Sequence, residues 1–110
     1  MTASQFRLTR DRPILTGRAT LLIVDAQNEI CGPKDRTERP AFHDAATARV
    51  IPNIRRLLSA FRGAHLEVIY TVIENLTEDG RDRSLDYKLS NMSVAKGSWE
   101  AQVIAEIAPQ

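Results

Sequence analysis

The sequence predicts an α/β fold built on a parallel sheet, and three stretches carry that prediction. Residues 19–24 (ATLLIV) form a short apolar run ending at Asp25, and residues 66–73 (LEVIYTVI) form a second. Both are rich in β-branched side chains and short enough to be strands buried on both faces, as in parallel sheets. Between them Val50, Ile51, Ile54, Leu57, Leu58 and Phe61 recur at three and four residues, with Arg55, Arg56, Ser59 and Arg62 on the other side. That spacing gives a helix with one apolar stripe. A strand, a helix and a strand in this order imply a right-handed parallel crossover.

The rest of the chain is read around that unit. Residues 1–18 are polar, basic and irregular, and are expected to form an arm. Residues 26–43 hold Asn28, Gly32, Pro33 and Pro40 among several charges and are expected to be a long loop. Pro52 is tolerable only in a first turn, so the regular helix should begin near residue 50. Gly63 suits the left-handed position just past its end. Residues 74–97 are polar, with Asp79 and Gly80 as the clearest turn. Ser98 can cap a short amphipathic helix over 99–108, with Trp99, Val103 and Ile107 on its core side and Pro109 as its stop. Two strands are too few for a stable parallel sheet, so the chain is expected to be an incomplete part of a larger domain.

Composition narrows the function. Hydrophobic residues at 43% and charged residues at 26% exclude a disordered chain. A net charge of +1 provides no field for nucleic acid. No apolar stretch approaches the roughly 20 residues that cross a bilayer, so no membrane association is expected. From the polar start no secretory leader is expected, and the single cysteine, Cys31, cannot form an internal disulfide. Both fit a cytoplasmic location.

Asp25 is the first candidate for chemistry. It ends the first strand, and ligands of open α/β sheets bind at that edge. A carboxylate there can act as a general base, with Gln27 and Asn28 beside it to fix it or to meet substrate. Residues 74–88 follow the second strand and so reach the same edge. Within them Glu74, Asn75, Arg83 and Tyr87 can hydrogen-bond a carboxylate or ureido group. Cys31 lacks a helix N-terminus or a neighbouring base to activate it. Lys88 and Lys96 read as solvated, and His43 and His65 lack metal-ligand spacing, so no metal is expected. One acid at Asp25, with no acidic neighbour, speaks against a phosphoacceptor receiver domain.

The segment 20–29 (TLLIVDAQNE) resembles the opening motif of the isochorismatase-like cysteine hydrolases. The resemblance continues through 51–54 (IPNI), 62–65 (RGAH), 68–71 (VIYT), 96–99 (KGSW) and 107–110 (IAPQ), the last two most like the ureidoacrylate and N-carbamoylsarcosine amidohydrolase branch. It covers residues 19–110. It implies the N-terminal half of a three-layer α/β/α Rossmann-like domain with a parallel sheet of about six strands. It also implies hydrolysis of a C–N bond in a small amide or ureido substrate by an Asp, a Lys and a Cys, without a cofactor. Asp25 matches the Asp, while the Lys and the Cys are expected beyond Gln110. The chain alone is therefore expected to be inactive and to need the C-terminal half or a complementing chain. The resemblance further implies a homo-oligomer. The alternative is a truncated half-domain that only binds or supports a partner.

Overall fold

The computed structural model describes residues 9–32 and 34–110. Residues 1–8 of the expected arm lie outside the described residues. The rest of the arm is irregular, with short 3₁₀ turns at Thr9–Asp11 and Thr16–Arg18, and residues 10–18 are exposed.

Strand β1 runs Leu21–Val24. Helical turns α1 (Asn28–Cys31), α2 (Asp35–Glu38) and α3 (Pro40–Ala45) follow, then a π-helical stretch, Ala46–Val50, and the long helix α4, Ile51–Gly63. Strand β2 is Val68–Thr71, and a short helix α5, Leu85–Leu89, lies beyond it. A 3₁₀ turn, Ala105–Ile107, closes the chain. The strands pair in parallel, with Leu21 opposite Val68 and Val24 opposite Thr71. The expected strand–helix–strand order with a parallel ladder is thus present.

Alternation along the strands divides the sheet into two faces. Ile23 points to the core, where it joins Ala26, Ile51, Leu58, Ile104 and Ile107, with Tyr70 and Val68 packed against them. Leu22, Val24 and Ile69 point the other way and remain exposed, Val24 at 61%. The expectation of burial on both faces is therefore corrected: among the described residues, only the α4 side is covered. Tyr70 ties the last segment down. Its hydroxyl donates to the Ile107 carbonyl (2.7 Å), while Arg62 donates to the Tyr70 oxygen (3.1 Å) and to the Ala108 carbonyl (3.2 Å). No described helix is long and apolar enough to cross a membrane.

Several local expectations are corrected. The stretch 26–43 is largely helical turns, and the helical path starts at Pro40, which occupies a first-turn position where no N–H is needed. The regular helix α4 does begin at Ile51 with Pro52 in its first turn, as expected, and the path leading into it widens ahead of the proline. The Ile51 N–H reaches back five residues to the Ala46 carbonyl, which relieves the crowding that a proline ring imposes on an α-helix. Gly63 is inside α4, and the left-handed position belongs to His65 (φ 57°). Leu66 N–H bonds the Phe61 carbonyl and His65 N–H the Arg62 carbonyl, the paired bonds of a Schellman ending.

The helix expected over 99–108 does not form. Its backbone pairs instead with the segment after β1: Asn28 N–H to Gln102, Glu29 N–H to Glu100, and Ile104 N–H to Ala26, with Val103 bridged to Gln27. Ser98 Oγ still accepts the Ala101 N–H, but the turn goes no further. Trp99, expected in the core, is 54% exposed, whereas Ile107 is buried as expected. Helix α5 lies inside a stretch read as loop. It has the signal of a capped start, since Ser84 Oγ accepts the Tyr87 N–H and Asp86 sits in the first turn.

Candidate functional site

Asp25 is the residue at which β1 stops. Its N–H donates to the Thr71 carbonyl (3.1 Å), the last step of the parallel ladder. The chain then turns sharply: Asp25 adopts a left-handed conformation (φ 53°), and its carbonyl accepts the Gln27 N–H (2.9 Å). Aspartate tolerates that region better than most residues, though it still costs free energy there. The turn leaves the carboxylate half-exposed, with Oδ1 accepting a 2.8 Å hydrogen bond from the Thr71 hydroxyl.

Gln27 has no solvent exposure. Its amide nitrogen donates to the carbonyls of Ile73 and Ala101, both at 2.8 Å, and its amide oxygen accepts the Ile73 N–H at 2.7 Å. Both amide hydrogens are taken by the protein. The side chain thereby joins the end of β1 to the exit of β2 and to the last segment.

That exit opens into a cleft of about 350 Å³ whose wall includes Ile73, Glu74, Asn75, Arg83, Tyr87 and Val94. All four residues nominated from the 74–88 stretch meet here, but they do not do the same work. Asn75 is buried and builds the wall: its Oδ1 accepts from the Val94 N–H (2.8 Å) and the Ser93 hydroxyl, and its Nδ2 donates to Thr77. Arg83 is half-buried and braced by donating to the Gly80 carbonyl (2.8 Å) and the Met92 carbonyl (2.9 Å). Gly80 is left-handed (φ 70°), and a Cβ there would stand 2.7 Å from Arg83 Nε, so the turn needs glycine on both counts. Among the described residues, the Glu74 carboxylate and the Tyr87 hydroxyl have no hydrogen-bond or ionic partner, and both side chains are half-exposed. The cleft thus offers an acceptor, a cation and a phenol.

Asp82 holds the rim. Its carboxylate accepts from the Thr77 hydroxyl (2.6 Å), the Leu76 N–H (2.6 Å) and the Thr77 N–H (3.3 Å). The Thr77 hydroxyl first, then the Leu76 amide, hold its carboxyl down to about 2 from the usual 3.8. A depressed folded-state value stabilises the rim above pH 3.8, and that support is lost as pH falls toward 2. The carboxyl carbon of Asp82 should therefore titrate near pH 2 by NMR, with amide protection at Leu76 and Thr77 fading in the same window. Titration at an ordinary aspartate pH would contradict this geometry.

The remaining candidates lie elsewhere. Asn28 donates to the Trp99 carbonyl (2.8 Å) and faces a second cleft with Cys31 and His43, away from the Glu74 wall. His43 is buried in α3 and His65 is exposed at the end of α4, so the structure does not bring the histidines together. Among the described residues no three His, Cys, Asp or Glu side chains converge as a metal site would require. Lys88 and Lys96 are exposed. Thr71 was not singled out from sequence. Its only signal was its place near the end of the second apolar run, two residues short of Ile73.

The Isochorismatase domain profile matches residues 19–110. The chain belongs to the isochorismatase family. It is 29% identical to the ureidoacrylate amidohydrolase RutB of Yersinia enterocolitica, over 92% of this chain and 52% of that protein. The crystal structure of a cysteine hydrolase from Pseudomonas syringae pv. phaseolicola superposes with a TM-score of 0.65 at 29% identity, over 90% of this chain and 45% of that one. The chain therefore spans about half the length of these isochorismatase-family relatives, both hydrolases by name. The matched residues of this chain, 19–110, include β1, β2 and the residues that line the Glu74 cleft.

Proposed function

We propose that this chain supplies the general base and one substrate wall of a cysteine-dependent hydrolase that cleaves a C–N bond in a small amide or ureido compound. The observation that carries this reading is Asp25, held half-exposed at the carboxyl end of a parallel strand and linked through Gln27 to the residue that opens the cleft. In this reading Asp25 takes the proton of a thiol supplied by the other half of the fold, beside that half's lysine. The thiolate adds to the substrate carbonyl, the amine departs with the proton, and water releases the acyl group. The free Glu74 carboxylate accepts substrate N–H groups, and Arg83 and Tyr87 bind a carboxylate.

Gln27 and Asn75 serve this site by holding its walls, since their polar atoms are already engaged by backbone. Asn28 has the same kind of task, toward Trp99. The bare apolar face of Leu22, Val24 and Ile69 supports the need for a covering partner, either the C-terminal half or a complementing chain. It equally favours the second reading, in which the chain only binds such a partner. A homo-oligomer and a cytoplasmic location complete the proposal.

The test is ammonia release from N-carbamoyl amino acids and simple amides by protein that spans the whole family domain. Release that iodoacetamide abolishes is expected. No release from any of these compounds would overturn the hydrolase reading and leave the binding one.

A further inference from the structure

Thr71 holds Asp25 twice. Its carbonyl accepts the Asp25 N–H at 3.1 Å, and its hydroxyl donates to Asp25 Oδ1 at 2.8 Å. Thr71 is itself fixed, because it is the last residue of β2 and pairs with Val24 in the ladder. Its β-branched side chain has few rotamers to choose from. The hydroxyl therefore arrives at the carboxylate from a rigid base. Asp25, by contrast, sits in a left-handed turn with a half-exposed side chain, where a carboxylate would otherwise rotate. Register makes the pair: a slip of one residue would turn the Thr71 side chain to the opposite face.

We propose that Thr71 is a positioning residue for the reaction, engaging Oδ1 of Asp25 so that Oδ2 alone is left to take the proton. This rests on the reading of Asp25 as the base. In the step itself the S–H bond breaks, its electron pair stays on sulfur, and a new O–H bond forms at Oδ2. The Thr71 hydroxyl keeps its own proton throughout, and Oδ1 accepts it in both charge states. A hydroxyl has one hydrogen to give. With that hydrogen on Asp25, the Thr71 oxygen can only accept, so a substrate amide N–H is welcome beside it and a carbonyl oxygen is not.

The experiment compares Thr71→Val, Thr71→Ser and Asp25→Asn, with the double variant Thr71→Val/Asp25→Asn, in protein spanning the whole domain. Valine keeps the branched shape and removes the hydroxyl. It should lower kcat by about 10- to 100-fold, the factor that a hydrogen bond to a charged group is worth, with KM nearly unchanged. Serine should recover most of the rate. In the Asp25→Asn background the valine should add little, because its effect runs through the carboxylate.

The two readings fail separately. Full turnover in Asp25→Asn would remove the base and this proposal with it. An impaired Asp25→Asn beside a Thr71→Val enzyme that turns over normally would overturn the Thr71 proposal alone. A readout free of activity guards against misfolding. In the wild-type protein that spans the whole domain, where the bare sheet face is covered, the Thr71 hydroxyl proton should be slow to exchange by NMR, and it should be fast in Asp25→Ala. A fast hydroxyl in the wild type would also overturn the proposal.

Discussion

Replacing Asp25 by asparagine is expected to lower turnover by several hundred-fold, within the range of about 10²–10⁴ for a lost general base, in protein that spans the family domain. The substitution is a fair probe because asparagine fits what surrounds the site. It tolerates the left-handed conformation at least as well as aspartate. Its side-chain oxygen can still accept from the Thr71 hydroxyl. What it loses is the capacity to take a proton. The thermal melting curve should therefore barely move while kcat collapses. Near-normal turnover would remove Asp25 from the chemistry.

Gln27→Leu should have the largest effect on folding. Leucine fills similar space but strands the Ile73 N–H, the Ile73 carbonyl and the Ala101 carbonyl in the place where Gln27 is fully buried. Three such losses, one of them in wholly buried surroundings, amount to about 3–5 kcal/mol. Urea denaturation would read this as a lower midpoint at unchanged slope. A loss under about 1 kcal/mol would mean that the joint between β1, β2 and residue 101 is not what holds these segments together.

What could be read from the sequence is what short-range pattern encodes. The apolar runs before Asp25 and around Tyr70 gave strands, and the three-and-four spacing from Ile51 to Phe61 gave the helix between them. The parallel edge put the 74–88 stretch at the exit of β2, where the cleft gathers Glu74, Asn75, Arg83 and Tyr87, while Asp25 does not line that cleft and meets it only through Gln27 and Ile73. What could not be read depends on partners far along the chain. Gln27 looked like a ligand because its contacts lie 46 and 74 residues away. The 99–108 stretch has helical spacing, but its backbone is claimed by residues 26–29. Trp99 fell outside the core for the same reason. Thr71 gained its role only from the register that sets it opposite Val24. Pro52 was legible as the first turn of α4, whereas at the other end Gly63 was given the left-handed position that His65 occupies.

That the Asp25 carboxylate takes a thiol proton can be measured without knowing the substrate. In protein carrying the whole domain, the rate at which iodoacetamide modifies each cysteine near neutral pH is followed by mass spectrometry of the peptides, which separates Cys31 from a cysteine in the other half. A base beside that second cysteine predicts fast alkylation, slowed by about tenfold or more in Asp25→Asn, since the thiolate is the reacting form. Equal rates in the two proteins would show that the carboxylate at the end of β1 does not act on a thiol at all.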